Sequence, residues 1–330
     1  MEIISQHLIG YENHLENLSN NLIIKSSSNS FIFYGNKGIG KNTFTHCLIN
    51  KIFSDKFNES KSNLLYANSH PNFRYISKII DEKSNKLNSN IKIDQIRKIE
   101  SFIYQSSLNK LPKFIIIDSA DDLNISSSNS LLKLLEEPKN NSYFILIVHQ
   151  LFNIMPTIRS RCIKFKFSHP SLENFDKIIR QSFPDIKEKD ISLLYDLSNG
   201  SPGLAIQLYS NNIKDLLDNL LIIFNEKNNL SKEIINFSEI VGIYTNDQFK
   251  LFLSILKLIL INILKVNLGI NIKKYFLSNL SDTIHSISKN INNKSILTIL
   301  DYLKLNENDL YIFNLDKKIF SINIFNGISK

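Results

Sequence analysis

The chain has 330 residues, 43% of them hydrophobic, enough for two or three domains with a substantial core. Its formal net charge of +8 is moderate for that length; it allows contact with nucleic acid or acidic partners, and a solvated lysine-rich surface accounts for it equally well. Two widely separated cysteines, Cys47 and Cys162, exclude a disulfide framework and a Cys-x-x-Cys metal site, and with no signal-peptide pattern at the N-terminus the chain reads as cytosolic.

Up to about residue 167 the pattern alternates strands and helices, as expected of a parallel α/β sheet. Phe31-Ile32-Phe33-Tyr34 reads as a buried strand, and Thr43 to Phe53 as the helix that follows it. Asp55 to Asn63 is polar and reads as a loop. Phe73 to Ser77 reads as a strand, Lys83 to Asn90 as a polar turn, and Ile91 to Ser107 as a helix with Ile93, Ile96, Ile99 and Ile103 near helical spacing. Phe114-Ile115-Ile116-Ile117 is the continuous apolar run of a central parallel strand. Ser128 to Glu137 reads as a helix stopped by Pro138. Tyr143 to Val148 and Cys162 to Phe167 read as the last strands.

From Ser168-His169-Pro170 onward the pattern is helical. Leu172 to Phe183 and Lys189 to Leu197 read as helices, Gly203 to Leu208 begins a third, and the rest is helical with polar joints at 225–230, 271–274 and 289–294. The most apolar stretch, Phe249 to Ile270, contains Lys257, Asn262 and Lys265, which favours a core helix over a membrane span.

Between the first strand and its helix lies Gly35-Asn36-Lys37-Gly38-Ile39-Gly40-Lys41-Asn42-Thr43, a phosphate-binding loop by its glycines and lysine. Gly35, Gly38 and Gly40 let backbone N–H groups approach a phosphate, and Lys41 would neutralise its oxygens. The position that should carry a Mg²⁺-binding hydroxyl is Asn42; Thr43 comes one residue late, about 100° further round the helix. Asp118, at the tip of the strand 114–117, stands where such an ATPase reaches Mg²⁺ through water, although an Asp there also reads as a helix cap or turn residue. The residue after it, usually a glutamate that polarises water, is Ser119, which cannot act as a base near neutral pH. Asp121 and Asp122 are the only nearby acidic substitutes. Nucleotide occupancy is left open: any ATP or ADP binding is expected to be weak and not required.

Four stretches carry a resemblance: Ile93-Asp94-Gln95-Ile96-Arg97, Asn129 to Pro138, Pro156 to Cys162, and Asn199-Gly200-Ser201-Pro202-Gly203. In their order and spacing the chain resembles the clamp-loader branch of the AAA+ ATPases over most of residues 1–210, with a weaker match at Asn314-Leu315-Asp316-Lys317-Lys318. The resemblance implies an α/β AAA+ P-loop domain with a parallel sheet over 1–167, a small helical lid over 168–210 and an all-α collar over 211–330. It implies that Arg161 is an arginine finger given in trans to a neighbour's ATP, a task that suits a permanently charged planar fork of donors. Read alone, Arg161 is a surface arginine at a strand entrance, with Arg159 a nearby competitor and Cys162 a packing residue. Active relatives carry a lid arginine where Leu204 stands, and often a four-Cys zinc module, for which only Cys47 is nearby; no zinc is expected. The implied partners are gamma/tau-type ATPase subunits and a delta subunit in a hetero-pentamer, with a sliding clamp and primed DNA reached through the assembly, and no membrane. Arg97, Lys98 and Lys133 are candidates for DNA contact, or solvated faces. Two alternatives remain: an active gamma/tau-type ATPase, and a nucleic-acid-binding adaptor such as a helicase loader.

Overall fold

The computed structural model describes residues 8–21, 29–58, 62–81, 86–88, 90–105, 111–137, 141–225, 232–273, 276, 278 and 280–326. They fall into two compact units, residues 1–177 and 178–330. Pro138 and most of the joint expected at 225–230 lie outside the described residues.

The first unit is built on five parallel strands: β1 (Ser30–Tyr34), β2 (Phe73–Ile76), β3 (Lys113–Ile117), β4 (Ser142–Val148) and β5 (Ile163–Lys166). Their order is β2-β3-β4-β1-β5. From β1 the chain crosses to the far edge at β2, builds back inward through β3 and β4, and then passes β1 to lay down β5 on its other side. Parallel strands need helical crossovers on both faces, so their residues are buried on both sides and read as unbroken apolar runs. β3 and β4 are buried along their whole length.

The pleat divides that core in two. Phe31, Phe33, Phe114, Ile145 and Ile147 face one layer, packed with residues of α1 (Glu12–Asn21) and α2 (Lys41–Phe57). Ile32, Ile115, Ile117, Phe144 and Leu146 face the other, packed with α4 (Ile93–Tyr104), α5 (Ile125–Glu136) and α6 (Pro156–Arg161).

One expectation is corrected here. The stretch Asp55 to Asn63 is not all loop. α2 continues to Phe57, helped by a Lys51–Asp55 pair one turn apart at 3.2 Å, and stops where Asn58 turns left-handed at φ 52°. A further short helix, α3 (Ser62–Tyr66), follows. Arg161 stands at the entrance to β5 as expected, and there it ends α6. Pro156 starts that helix at a position where its missing N–H costs nothing.

In the second unit every named element is helical: α8 (Glu188–Ser198), α9 (Pro202–Ser210), α10 (Ile213–Asn225), α11 (Lys232–Gly242), α12 (Asn246–Asn267), α13 (Leu280–Ser288), α14 (Asn293–Ile312) and α15 (Lys317–Asn326), while α7 (Leu172–Ser182) spans the boundary. α12 is the core helix expected of the most apolar stretch. Within it Lys257 is paired with Glu307, and Asn262 donates to the Leu258 carbonyl at 2.8 Å. Among the described residues, no helix is long and apolar enough to cross a membrane.

Candidate functional site

Because the five strands are parallel, their carboxyl ends share one edge of the sheet, the edge where open α/β folds bind ligands. Gly35 follows β1, Asp118 follows β3 and His149 follows β4, so three loops converge there. Gly35 N–H donates to the Val148 carbonyl at 3.2 Å, which ties the phosphate loop to β4. Gly40, at φ 94°, turns the chain into α2, and Lys41 opens the helix.

Lys41 is the centre of the site, and it is 3% exposed. Its ammonium donates to the carbonyls of Gly35 at 2.5 Å and Asn36 at 2.7 Å, and to Nδ1 of His149 at 3.2 Å. An ammonium has three hydrogens, so all three are in use. Burial pulls Lys41 down to about 8; Asp118 and Asp121 oppose that shift and Lys37 adds to it.

The ammonium can only donate, so Nδ1 of His149 accepts and the ring proton sits on Nε2. That proton is donated to Ser119 Oγ, 3.0 Å away. Burial first, and Lys41 second, push the imidazole down to about 4, which keeps the ring neutral. Its backbone is fixed as well: Asp121 accepts from the N–H groups of His149 at 2.6 Å and Gln150 at 2.9 Å. Ser119 is held left-handed at φ 59° on the other side of the ring.

A second cluster occupies Asp118. Tyr75 donates its hydroxyl hydrogen to Oδ2 of Asp118, and the Asn42 amide reaches Tyr75 Oη at 3.0 Å and Asp118 Oδ2 at 3.3 Å. One carboxylate oxygen of Asp118, Oδ2, is thus held by two protein donors. The side-chain oxygen Oδ1 of Asn42 is buried without a hydrogen-bond partner. Asp122, the other acidic neighbour, pairs with Lys78 at 2.9 Å. Both nearby substitutes for a catalytic carboxylate are therefore engaged in holding loops. Among the described residues no group of three His, Cys, Asp or Glu could hold a metal ion. Thr43 is half-buried one position along α2.

Arg161 lies elsewhere, at the end of α6. It is exposed; its guanidinium donates to the Thr157 carbonyl at 2.9 Å and pairs with Glu136 at 2.6 Å. Arg159 on the same helix is half-buried. Cys162 is buried, and burial pushes its thiol up to about 12, which suits packing and not reactivity. Arg97, Lys98 and Lys133 are exposed, and Arg97 leans on Asp94 at 3.4 Å.

The sequence reading brings Gly35, Gly38, Gly40, Lys41 and Asp118 to one edge, and the structure does too. It misses His149 and Tyr75. The signal for His149 was available: a titratable residue directly after a fully apolar parallel strand stands at the ligand-binding edge. Tyr75 gave none, since a tyrosine in a strand usually packs.

Residues 10–171 match the family described as "DNA polymerase III, delta subunit". The chain is 27% identical over 195 residues to the DNA polymerase III subunit delta' of Pseudomonas aeruginosa, covering 57% of this chain and 58% of that one. It is 29% identical over 144 residues to the delta' subunit of Haemophilus influenzae, covering 44% and 42%. The DNA polymerase III subunit gamma of Buchnera aphidicola subsp. Schizaphis graminum is 36% identical over 124 residues, covering 36% and 34%. The chain thus spans less than two thirds of the length of these relatives. Among solved structures, a DNA polymerase III gamma-subunit-related protein from Thermotoga maritima aligns over 96% of this chain and 99% of its own, at 18% identity and a TM-score of 0.46.

Proposed function

We propose that this chain, a delta-prime-like member of the clamp-loader family over residues 10–171, is a ring subunit that does not hydrolyse ATP and that gives Arg161 to a neighbour's ATP. The observation that carries the reading is the contrast between its two charged ends. Lys41 has every hydrogen engaged inside the chain and Asp118 is held by Tyr75 and Asn42, whereas Arg161 is exposed at the end of a helix. A guanidinium in that setting can leave an exposed carboxylate for a phosphate at little cost, since exposed ion pairs contribute only about 0–1 kcal/mol.

In this reading residues 168–210 are a lid and 211–330 a collar that joins gamma/tau-type and delta subunits in a cytoplasmic pentamer, which loads a sliding clamp on primed DNA. The exposed apolar side chains Ile243, Leu305, Ile312 and Phe313 support an assembly role for the C-terminal region. Any nucleotide at the chain's own loop binds weakly and without needing Mg²⁺, because Asn42 offers no hydroxyl to the metal. No zinc is part of the reading.

A second reading, an active gamma-type ATPase, is favoured by the 36% identity to a gamma subunit. Steady-state hydrolysis by the purified chain, with and without primed DNA, separates the two. The expected result is no turnover above background. Turnover that disappears in Lys41→Ala would favour the second reading.

A further inference from the structure

Two of the three acceptors around Lys41 belong to the phosphate loop itself, the carbonyls of Gly35 and Asn36. The third, His149 Nδ1, comes from the end of β4 and takes the remaining hydrogen. A phosphate oxygen bound in this loop would need that same hydrogen, because the lysine of a phosphate loop acts by reaching β/γ oxygens. We propose that His149 is a built-in plug: its imidazole holds the position on Lys41 that a nucleotide's phosphate oxygen would take, so a nucleoside di- or triphosphate binds only by displacing it. The proposal rests on reading 35–43 as a phosphate site and is independent of any role for Arg161.

The plug is held from both sides. Ser119 accepts from Nε2 at 3.0 Å, and the Asp121 carboxylate fixes the backbone N–H of His149 at 2.6 Å. The ring cannot turn away without losing Ser119, and the residue directly follows β4, a fully buried strand. The charged groups that act on the ring are Lys41, Lys37, Asp118 and Asp122, and with the ring neutral its Nδ1 is an acceptor the ammonium can use. Tyr75 and Asn42 hold Asp118 separately and Asn42 offers no hydroxyl to a metal, so removing His149 should open the loop to phosphate without making binding metal-dependent.

Calorimetric titration of the full chain with ATP and with ADP, in Mg²⁺ and in chelator, tests this. His149→Ala should bind both nucleotides about tenfold more tightly than the wild type, equally in Mg²⁺ and in chelator, since one hydrogen bond to a charged group is at stake. Ser119→Ala, which removes only the anchor of the ring, should shift affinity in the same direction by less. Adding Lys41→Ala to His149→Ala should cancel the gain. An unchanged affinity in a His149→Ala protein that melts like the wild type overturns the proposal, as does a gain that survives the loss of Lys41. Should His149→Ala fail to fold, ¹⁵N signals of the wild-type imidazole give the answer. Under saturating nucleotide, Nδ1 must lose the shift of a hydrogen-bond acceptor, and an unmoved signal contradicts displacement.

Discussion

Single residues carry two kinds of pressure at this edge of the sheet, steric and electrostatic. Gly35 shows the first. A Cβ there would lie 2.4 Å from the Phe167 carbonyl oxygen, at a φ of 149°, so no other residue fits between β1 and the chain that leaves β5. His149 shows the second and makes stability depend on pH. Its folded-state ring is pushed down to about 4, whereas an unfolded-chain histidine titrates near about 6.5. As pH falls, the unfolded chain takes the proton first. The contribution of this ring is full above about 6.5 and is lost as pH falls toward about 4, at most on the order of 3 kcal/mol. His46, fully buried and also lowered chiefly by burial, acts in the same direction. Urea midpoints should therefore drop between pH 7 and pH 5. His149→Gln, which can still accept from Lys41 but does not titrate, should flatten part of that slope; an identical slope in the variant would remove His149 as its source.

At the scale of elements, the chain's periodicity was legible wherever a segment faces only apolar neighbours. β1, β3 and β4 are dominated by continuous apolar runs because both faces of a parallel strand are covered. The same patterning could not show α6. Six residues starting at Pro156 offer little more than one turn of periodicity, and a proline after a strand reads as a loop. It also could not show Lys113, a charged residue at the edge of β3 that is 1% exposed. Its ammonium donates to the carbonyls of Phe102 at 2.7 Å, Ile103 at 3.0 Å and Gln105, so it closes the C-terminal end of α4, where the last carbonyls have no intrahelical partner. Lys113→Met keeps the apolar stem but strands those carbonyls. We expect a loss of about 2–4 kcal/mol in chemical denaturation, and a loss under about 0.5 kcal/mol would mean that water replaces the ammonium there.

For the whole molecule, composition and alternation located the change from α/β to all-α, and motif order supplied the resemblance. They could not supply the partners that side chains find over long separations. Asp190 in α8 pairs with Lys214 at 2.7 Å, and Asp196 in the same helix accepts from the Ser278 N–H at 2.8 Å. Both bonds join the proposed lid to the proposed collar across residue 210. Deleting residues 211–330 should thus leave the sheet-bearing unit folded and expose α8 and α9 to rapid amide exchange, because buried Asp190 and Asp196 lose their partners. The truncated chain should no longer join a ring in gel filtration with clamp-loader subunits. A retained pentamer would move the assembly surface into residues 1–210.

The central claim is that this chain serves catalysis only through a neighbour, and Arg161 is where that claim is most exposed. An arginine finger is worth on the order of 10³–10⁵ in the rate at the site it serves. The pair with Glu136 is an exposed one, so Arg161→Ala should leave folding and assembly unchanged. The most direct measurement is steady-state ATP hydrolysis and clamp loading by rings reconstituted with the Arg161→Ala chain. If Arg161 is the finger of one site among several, total hydrolysis should fall partially and clamp loading should fall further. Wild-type rates from fully assembled variant rings would contradict the account and leave Arg161 as a surface arginine bound to Glu136.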